Sequence, residues 1–208
     1  MTYRTVHRQA HAEIVRKKSR FFSLAAPVED ESEALALIDG ARDQHPGAGH
    51  HVFAYRLGLG VPLLRFSDDG EPSGTAGMPV LKVLEGEDLR QVVVVVSRIF
   101  GGTLLGTGGL ARAYSDAARA ALEAARIVEV ERHIQLSFQV PYSLWGEVEY
   151  TLHRLRYDIT TLQFGADVGL QVEIPWEEEA SFRGWIQEIS ADGVQPVQEG
   201  STFRTRNQ

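Results

Sequence analysis

The chain has 208 residues, of which 43% are apolar and 24% are charged, and this composition is typical of a soluble protein of one large or two small domains. It contains no cysteine, which excludes disulfides, thiolate metal sites and cysteine nucleophiles and fits a reducing compartment. The net charge is −7, and residues 1–131 hold 15 Lys and Arg against 17 Asp and Glu, whereas residues 132–208 hold 6 against 11.

The charge and hydropathy patterns also bear on location and partners. The N-terminal sequence is too polar for a secretory signal peptide, and no apolar run approaches the roughly 18 residues that a membrane span needs. We therefore expect a cytoplasmic protein without membrane contact. Because acidic surfaces repel phosphate backbones, we expect any nucleic-acid contact in the less acidic first part of the chain.

The first part of the chain predicts a hairpin, a helix and a strand. Two extended segments within residues 4–28 flank the basic run RKKSR, which is typical of a β-hairpin with a charged tip. After Asp30, apolar residues recur at close to helical spacing behind an acidic first turn, so we predict a helix that ends near His45. The alternating segment HHVFAYRLG, residues 50–58, predicts a strand.

Two glycine-rich segments flank the one long apolar strand of the chain. They are RFSDDGEPSGTAGMP, residues 65–79, and SRIFGGTLLGTGGLARAY, residues 97–114. Their glycines imply backbone that bends sharply or approaches another group closely. The stretch PVLKVLEG fits either a short helix or an extended piece, and the five valines Val92–Val96 predict a central strand buried on both faces. An alanine-rich stripe from Leu110 to Arg126 predicts a second long helix.

The last third of the chain has a different order of predicted strands and helices. From residue 132 onward the patterns read strand, helix, strand, strand, helix, strand, which is the βαββαβ order of a ferredoxin-like domain. We therefore predict an α+β protein of two domains, residues 1–131 and 132–208, and we expect residues 198–208 to fray.

The second glycine-rich segment joins a buried strand to a helix. The first-turn N–H groups of Thr107, Gly108, Gly109 and Leu110 would then have no partner inside the helix. Such a helix start is suited to binding an anion. Glycines that serve only tight turns and close helix packing are the alternative interpretation.

Two nucleotide motifs can be compared with this segment. Gly106, Gly108 and Ala111 match a G-x-G-x-x-A pattern, with Glu129 placed as the ribose acid. The pattern follows the valines by about ten residues instead of standing at the strand end, which argues against a dinucleotide fold. A Walker loop is excluded, because Thr107 occupies the lysine position.

The first glycine-rich segment carries a cluster of oxygen-bearing side chains. They are Ser67, Asp68, Asp69, Glu71, Ser73 and Thr75. Neighbouring carboxylates can hold a divalent ion or act as acid and base, but Asp-Asp-Gly is also a strong turn sequence. The oxygen spacing does not match an EF-hand, and Ser73 lacks the surroundings of a nucleophile elbow. Structural, binding and catalytic roles therefore remain open at this point.

Cations and histidines supply further candidates. The run RKKSRFF combines four cations with two aromatics and could hold RNA, or it could be a solvated hairpin tip followed by core phenylalanines. Arg98 and Arg112 bracket the second glycine-rich segment and could bind phosphate or the carboxylates of the first segment. His50 and His51 are adjacent on a predicted strand, so they point to opposite faces and cannot chelate one ion together.

Four segments of the sequence resemble the IMPACT/YigZ family. They are KKSRFF, HH-x-x-AYR, RFSDDGEPSGTAGMPVL and VVVVVSRIFGGTLLGTGGLARAY. The resemblance covers the first 130 residues, and the remainder is similar to the small ferredoxin-like domain of bacterial two-domain members. Two positions depart from the family pattern: members usually have an aromatic residue where Ile99 stands and often a lysine where Leu104 stands.

The resemblance implies a fold and a field of function. It implies a first domain like one in a small-subunit ribosomal protein, with a four-stranded sheet, helices on one face and a left-handed βαβ connection, where the general rule predicts a right-handed one. Eukaryotic relatives regulate translation by binding a ribosome-associated activator of a stress kinase, through an additional N-terminal domain that these 208 residues do not include. For bacterial members the resemblance implies action near RNA or the ribosome.

We expect a binding and regulatory protein of translation, whose partner is RNA, a ribosome-associated molecule or a phosphate-like anion. The alternatives are an enzyme acting on a phosphorylated or peptide-like small molecule through Asp68, Asp69 or Glu71, and a purely structural module. We assign no cofactor, no metal and no sequence-specific DNA site. The candidate binding residues are Arg16, Lys17, Lys18, Arg20, Ser67, Asp68, Asp69, Glu71, Ser73, Thr75, Arg98, Gly101, Gly102, Gly106, Thr107, Gly108, Gly109 and Arg112.

Overall fold

The chain forms two compact units. The computed structural model describes residues 2–191 and 193–206. The first unit is Tyr3–Glu129, and the second contains Val130–Gln208. None of the described helices is both long enough and apolar enough to cross a membrane.

The first unit contains a five-stranded antiparallel sheet in the order β2-β3-β6-β4-β5. Its elements, preceded by the short strand β1 (Thr2–Val6), are β2 (Ala10–Arg16), β3 (Ser19–Pro27), α1 (Glu31–Gln44), β4 (His50–Leu57), β5 (Leu63–Ser67), α2 (Gly77–Gly86), β6 (Val92–Ile99) and α3 (Thr107–Ala125). The predicted hairpin, first helix, central strand and alanine-rich helix are therefore confirmed. The ambiguous stretch PVLKVLEG belongs to the helix α2.

The valine run of β6 explains why helices cover both faces of this sheet. Val92, Val94 and Val96 pack in one core with α2 and α3, and Val93 and Val95 pack in another core with α1. Alternate residues of a strand point to opposite faces, so an uninterrupted apolar run needs cover on both sides. The expectation of four strands with helices on one face only is therefore wrong, since α1 covers the second face and the β2–β3 hairpin adds an edge strand.

The second unit has the predicted ferredoxin-like order. Its elements are β7 (Ile127–Val140), α4 (Tyr142–Leu155), β8 (Asp158–Phe164), β9 (Val168–Pro175), a 3-10 turn (Trp176–Glu178), α5 (Glu179–Ile189) and β10 (Val197–Thr205). The strands lie in the order β10-β7-β9-β8 and pair antiparallel throughout. Counted within the unit this is the order 4-1-3-2. The two βαβ units, β7-α4-β8 and β9-α5-β10, therefore alternate in the sheet and share one apolar core.

Strand β7 begins at Ile127 and contains the predicted domain boundary between residues 131 and 132, which stays a prediction. One sequence expectation differs from the observed second unit. Fraying from residue 198 is wrong up to Thr205, because β10 pairs with β7 over this stretch and Arg204 contacts Glu173 of β9 at 2.6 Å. Residues 207 and 208, which we also expected to fray, lie outside the described residues.

Candidate functional site

The loop between β5 and α2, residues 68–76, is closed around the Asp68 carboxylate; we call it the acidic loop. Asp68 Oδ2 accepts a hydrogen bond from the Gly74 N–H at 2.7 Å. Its Oδ1 accepts from Ala76 at 3.0 Å and from Gly77 at 2.8 Å. The carboxylate thereby satisfies backbone donors at the start of α2, as an N-cap side chain does. Asp68 therefore holds the loop in shape.

Asp69 connects the acidic loop to strand β4. Its Oδ2 accepts from the His51 N–H at 2.6 Å, and its carbonyl oxygen lies 2.8 Å from His50 Nδ1. Because a carbonyl oxygen can only accept, Nδ1 of His50 carries the hydrogen in this bond. The other ring nitrogen, Nε2, lies 4.0 Å from Glu71 Oε1. Both carboxyl and carbonyl groups of Asp69 are thus engaged with the protein itself.

Glu71 lies at the centre of a buried charged network. Its Oε1 accepts from Arg98 Nη1 at 2.6 Å and from the Tyr114 hydroxyl at 2.7 Å. Arg98 Nη2 also donates to Ser19 Oγ at 3.3 Å. Burial, and then the bond to Glu71, raise the pKa of Tyr114 well above its usual value. The network joins β3, the acidic loop, β6 and α3.

The loop between β6 and α3, residues 100–106, is tied down at one point; we call it the glycine loop. The Gly101 N–H donates to Ser19 Oγ at 3.1 Å. A Cβ at position 101 would lie 2.0 Å from the carbonyl carbon of Lys18, so only glycine fits against the hairpin tip. Beyond this contact, Gly102 and Leu104 are exposed.

The start of α3 presents free backbone donors. Its N-cap is Gly106, which makes no side-chain capping bond within the described part of the chain. The first bond of the helix runs from Leu110 N–H to the Gly106 carbonyl at 2.9 Å. The N–H groups of Thr107, Gly108 and Gly109 precede that bond, so they have no partner inside the helix. This confirms the prediction for Thr107, Gly108 and Gly109 and contradicts it for Leu110, because the Leu110 N–H makes the first bond of the helix.

Both loops contribute to one pocket of about 420 Å³, which we call the loop pocket. It is lined by His50, Glu71, Pro72, Arg98, Phe100, Leu104, Leu105, Gly106, Thr107 and Leu110. The wall is mainly apolar, and its polar side chains are those of Glu71, Arg98, His50 and Thr107. This combination of an apolar wall and a few polar groups is typical of small-molecule sites.

A second depression lies between α2 and α3, with a volume of about 510 Å³; we call it the basic groove. It is lined by Gly74, Met78, Pro79, Lys82, Val83, Ala111, Arg112, Ser115 and Arg119. Three of these side chains are cationic, and the described lining includes no carboxylate. Arg112 and Lys82 are exposed, and Arg119 lies 3.6 Å from Asp116.

The predicted candidates are divided among different roles. Glu71, Arg98, Gly106 and Thr107 meet in the loop pocket, whereas Arg112 faces the basic groove instead. Arg98 and Arg112 thus do not act as one pair.

The remaining candidates shape the acidic loop or lie at the hairpin tip. Ser67 Oγ accepts from the Asp69 N–H at 3.1 Å, the Thr75 hydroxyl donates to the Pro72 carbonyl at 2.6 Å, and Ser73 is exposed. At the hairpin tip, Lys17 and Lys18 are exposed. Arg16 pairs with Asp116 at 3.1 Å and Arg20 with Glu13 at 2.7 Å.

Several residues of the two depressions were missed in the sequence. Arg119 lies seven residues after Arg112 in α3, a spacing that returns to the same helix face and could have identified it. Lys82 lies on α2, which the sequence left ambiguous. Phe100 and Leu104 give no sequence signal of their own, because exposed apolar residues are common on protein surfaces.

The enzyme alternative rested on free carboxylates. Asp68 is bound to three backbone N–H groups, Asp69 to His51, and Glu71 to Arg98 and Tyr114. A general base needs a lone pair directed at substrate, and these bonds use both oxygens of Asp68, Oδ2 of Asp69 and Oε1 of Glu71. No group of three or more His, Asp or Glu side chains among residues 2–191 and 193–206 is placed to hold a metal ion.

The family model described as the Impact N-terminal domain matches residues 17–122. The protein YvyE of Bacillus subtilis, described as an IMPACT family member, is 33% identical over 199 residues, which cover 96% of this chain and 91% of YvyE. The chain belongs to the IMPACT family. The matched range contains both loops, the loop pocket and the basic groove, so these features lie in the part that defines the family.

Further relatives extend the similarity to the second unit. A domain of unknown function, DUF1949, matches residues 138–192. The IMPACT family member YigZ of Escherichia coli is 34% identical over 181 residues, covering 86% of this chain and 89% of YigZ. A crystal structure described as that of a hypothetical protein has a TM-score of 0.62 and 32% identity, covering 94% of this chain and 96% of that one. The two-domain architecture is therefore shared with relatives.

Proposed function

We propose that this IMPACT family member binds RNA through its basic groove, as a binding and regulatory protein of translation. The observation that carries the proposal is the lining of the groove, where Lys82, Arg112 and Arg119 converge without a carboxylate among the described lining residues. Phosphate contacts by Lys and Arg dominate the affinity of proteins for nucleic acids.

The distribution of acids supports this choice of surface. Residues 29–43, which include most of α1, hold six acids against the single cation Arg42. Helix α1 packs in a different core from α2 and α3, across the sheet. An RNA backbone is repelled by the α1 side, so the α2–α3 side is the favourable one.

The hairpin tip continues the cationic surface. Arg16 contacts Asp116 on α3, and Asp116 in turn contacts Arg119 of the groove. Lys17 and Lys18 follow Arg16 in the chain and are exposed. A strand of RNA that occupies the groove therefore has further cations within reach at the tip, as non-specific single-strand binding requires.

Fluorescence anisotropy with a labelled single-stranded RNA at several salt concentrations tests the proposal. We expect binding at low salt that weakens as salt rises. The Arg112→Ala variant should bind more weakly and reduce the salt slope by about one, and the combined Lys82, Arg112 and Arg119 alanine variant should reduce it further.

Arg65→Ala provides the matched control, because Arg65 is an exposed arginine on β5 of the same unit that does not line the groove. Its binding should equal that of the unmodified protein. The proposal fails if RNA does not bind at low salt, or if Arg65→Ala and Arg112→Ala weaken binding equally. Binding to intact ribosomes without binding to RNA would indicate contact with a ribosomal protein, and this result would also overturn the proposal.

A further inference from the structure

Two large apolar side chains on the wall of the loop pocket are exposed. Phe100 is 54% exposed and Leu104 is 81% exposed, and both lie on the pocket wall. The Arg98 guanidinium lies 5.5 Å from the centre of the Phe100 ring, which fixes an aromatic surface beside a cation. A flat ring inserted into the pocket would cover this surface and stack on Phe100.

The other end of the pocket is suited to an anion. Gly106, Thr107 and Leu110 bring the start of the 19-residue helix α3 to the pocket. Its unpartnered N–H groups and the helix dipole attract negative charge. Because Arg98 balances the charge of Glu71, the network beneath the pocket does not cancel this attraction.

An independent observation at Arg98 also points to a ligand. The residue lines the pocket and is only 6% exposed, and its Nε has no hydrogen-bond partner among the described residues. Buried donors are nearly always satisfied by protein, water or ligand, so the Arg98 guanidinium has one donor left for a further acceptor.

We infer that the loop pocket binds one nucleotide, with its base against Phe100 and its phosphate at the start of α3. A nucleotide carries a flat ring and an anionic group in one molecule, which matches the two ends of the pocket. The inference rests on the proposed RNA binding and adds to it, because the pocket would hold one nucleotide of a strand whose backbone lies in the basic groove.

The two depressions are close enough along the chain for this arrangement. Pro72 lines the loop pocket and Gly74 lines the basic groove, two residues apart on the acidic loop. On α3, Leu110 lines the pocket and the next residue, Ala111, lines the groove. Both depressions therefore open at the first turns of α3, on either side of the acidic loop.

Isothermal titration with adenosine 5′-monophosphate, adenosine and inorganic phosphate tests the inference on the full chain. We expect the monophosphate to bind, and each of the two fragments to bind at least about tenfold more weakly, because each reaches only one end of the pocket. Equal affinity for phosphate and for the monophosphate would overturn the base contact, and no binding of the monophosphate would overturn the inference as a whole.

Two variants address the two ends separately. Phe100→Ala should weaken the monophosphate by roughly fivefold to a hundredfold through loss of stacking, while Phe164→Ala, an exposed phenylalanine on β8, should not. Thr107→Glu places a negative charge at the exposed start of α3 and should weaken the monophosphate at least about tenfold, by a larger factor than it weakens adenosine. Equal effects of Phe100→Ala and Phe164→Ala would contradict the inference.

The RNA assay separates this inference from the proposed function. If RNA binding depends on Arg112 and Lys82 but not on Phe100, and the monophosphate does not bind, the nucleotide pocket is wrong and RNA binding stands. If the monophosphate binds through Phe100 while RNA does not bind, RNA binding is wrong and the pocket is a site for free nucleotides. If neither binds, both are wrong.

Discussion

The acidic loop and the glycine loop share glycine residues and a position between a strand and a helix, and they differ in how their polar groups are used. Each is rich in glycine, each follows a strand, and each leads into a helix. In the acidic loop, side-chain carboxylates accept from the backbone and from buried partners. At the end of the glycine loop, the start of α3 has no side-chain cap within the described residues. The comparison teaches that glycine content marks both loops, and that the two loops differ in how far their donors and acceptors are satisfied within the fold.

Removal of Glu71 should produce the largest effect on the structural side of this comparison. Glu71→Ala leaves the Arg98 guanidinium buried without its counter-charge and the Tyr114 hydroxyl without its acceptor. The free energy of unfolding, measured by urea denaturation, should fall by about 3–5 kcal/mol.

The Arg98→Met change supplies the control within the same network. Added to Glu71→Ala, it removes the uncompensated charge and should restore part of the lost stability. A double variant that is no more stable than Glu71→Ala would attribute the loss to a cavity. Asp39→Ala, which breaks an exposed pair with Arg42 on α1, should lose far less.

Substitutions of Asp68 should give an intermediate and graded effect. Asp68→Asn keeps the Oδ1 acceptor for Ala76 and Gly77 and loses the acceptor for Gly74, so it should cost about 1 kcal/mol. Asp68→Ala loses all three bonds and should cost about 2–3 kcal/mol in the same urea assay. Equal losses for the two variants would show that the Oδ1 bonds do not hold the loop, and Ser73→Ala, at an exposed position, should be neutral.

Leu104→Ala should give the smallest effect on stability. The side chain is 81% exposed on the glycine loop, so its truncation should change the free energy of unfolding by less than about 0.5 kcal/mol. A loss as large as that of Asp68→Ala would mean that the glycine loop is also a structural element and would remove the contrast between the two loops.

The repeating parts of the fold could be predicted from the sequence. The five valines of β6, the helical stripes of α1 and α3 and the βαββαβ order of the second unit are local patterns that depend on residue spacing alone. Strand parity could also have placed Arg98, since it shares a face with Val94 and Val96, which pack under α2 and α3. Helical spacing likewise places Arg112 off the buried stripe of α3, on an exposed face.

Long-range pairing could not be predicted. The extension of β10 to Thr205 depends on its register with β7, some 70 residues earlier in the chain, and a single sequence carries no signal for that register. The roles of Asp68 and Glu71 depend on turn geometry and on partners from other elements. Asp68, Asp69 and Glu71 carry the same chemical group but lie in different environments. Composition alone therefore could not decide whether each acid has a structural, a binding or a catalytic role.

The close approach of Gly101 to the hairpin tip has a consequence for comparing members of the family. A Cβ there would overlap Lys18 and Ser19, so packing requires glycine at this position whether or not the protein binds anything. At Gly108, a Cβ would meet nothing within 4 Å, and packing makes no demand for glycine. Invariance at position 108 would therefore report on a ligand at the start of α3, whereas invariance at position 101 would report only on the path of the chain.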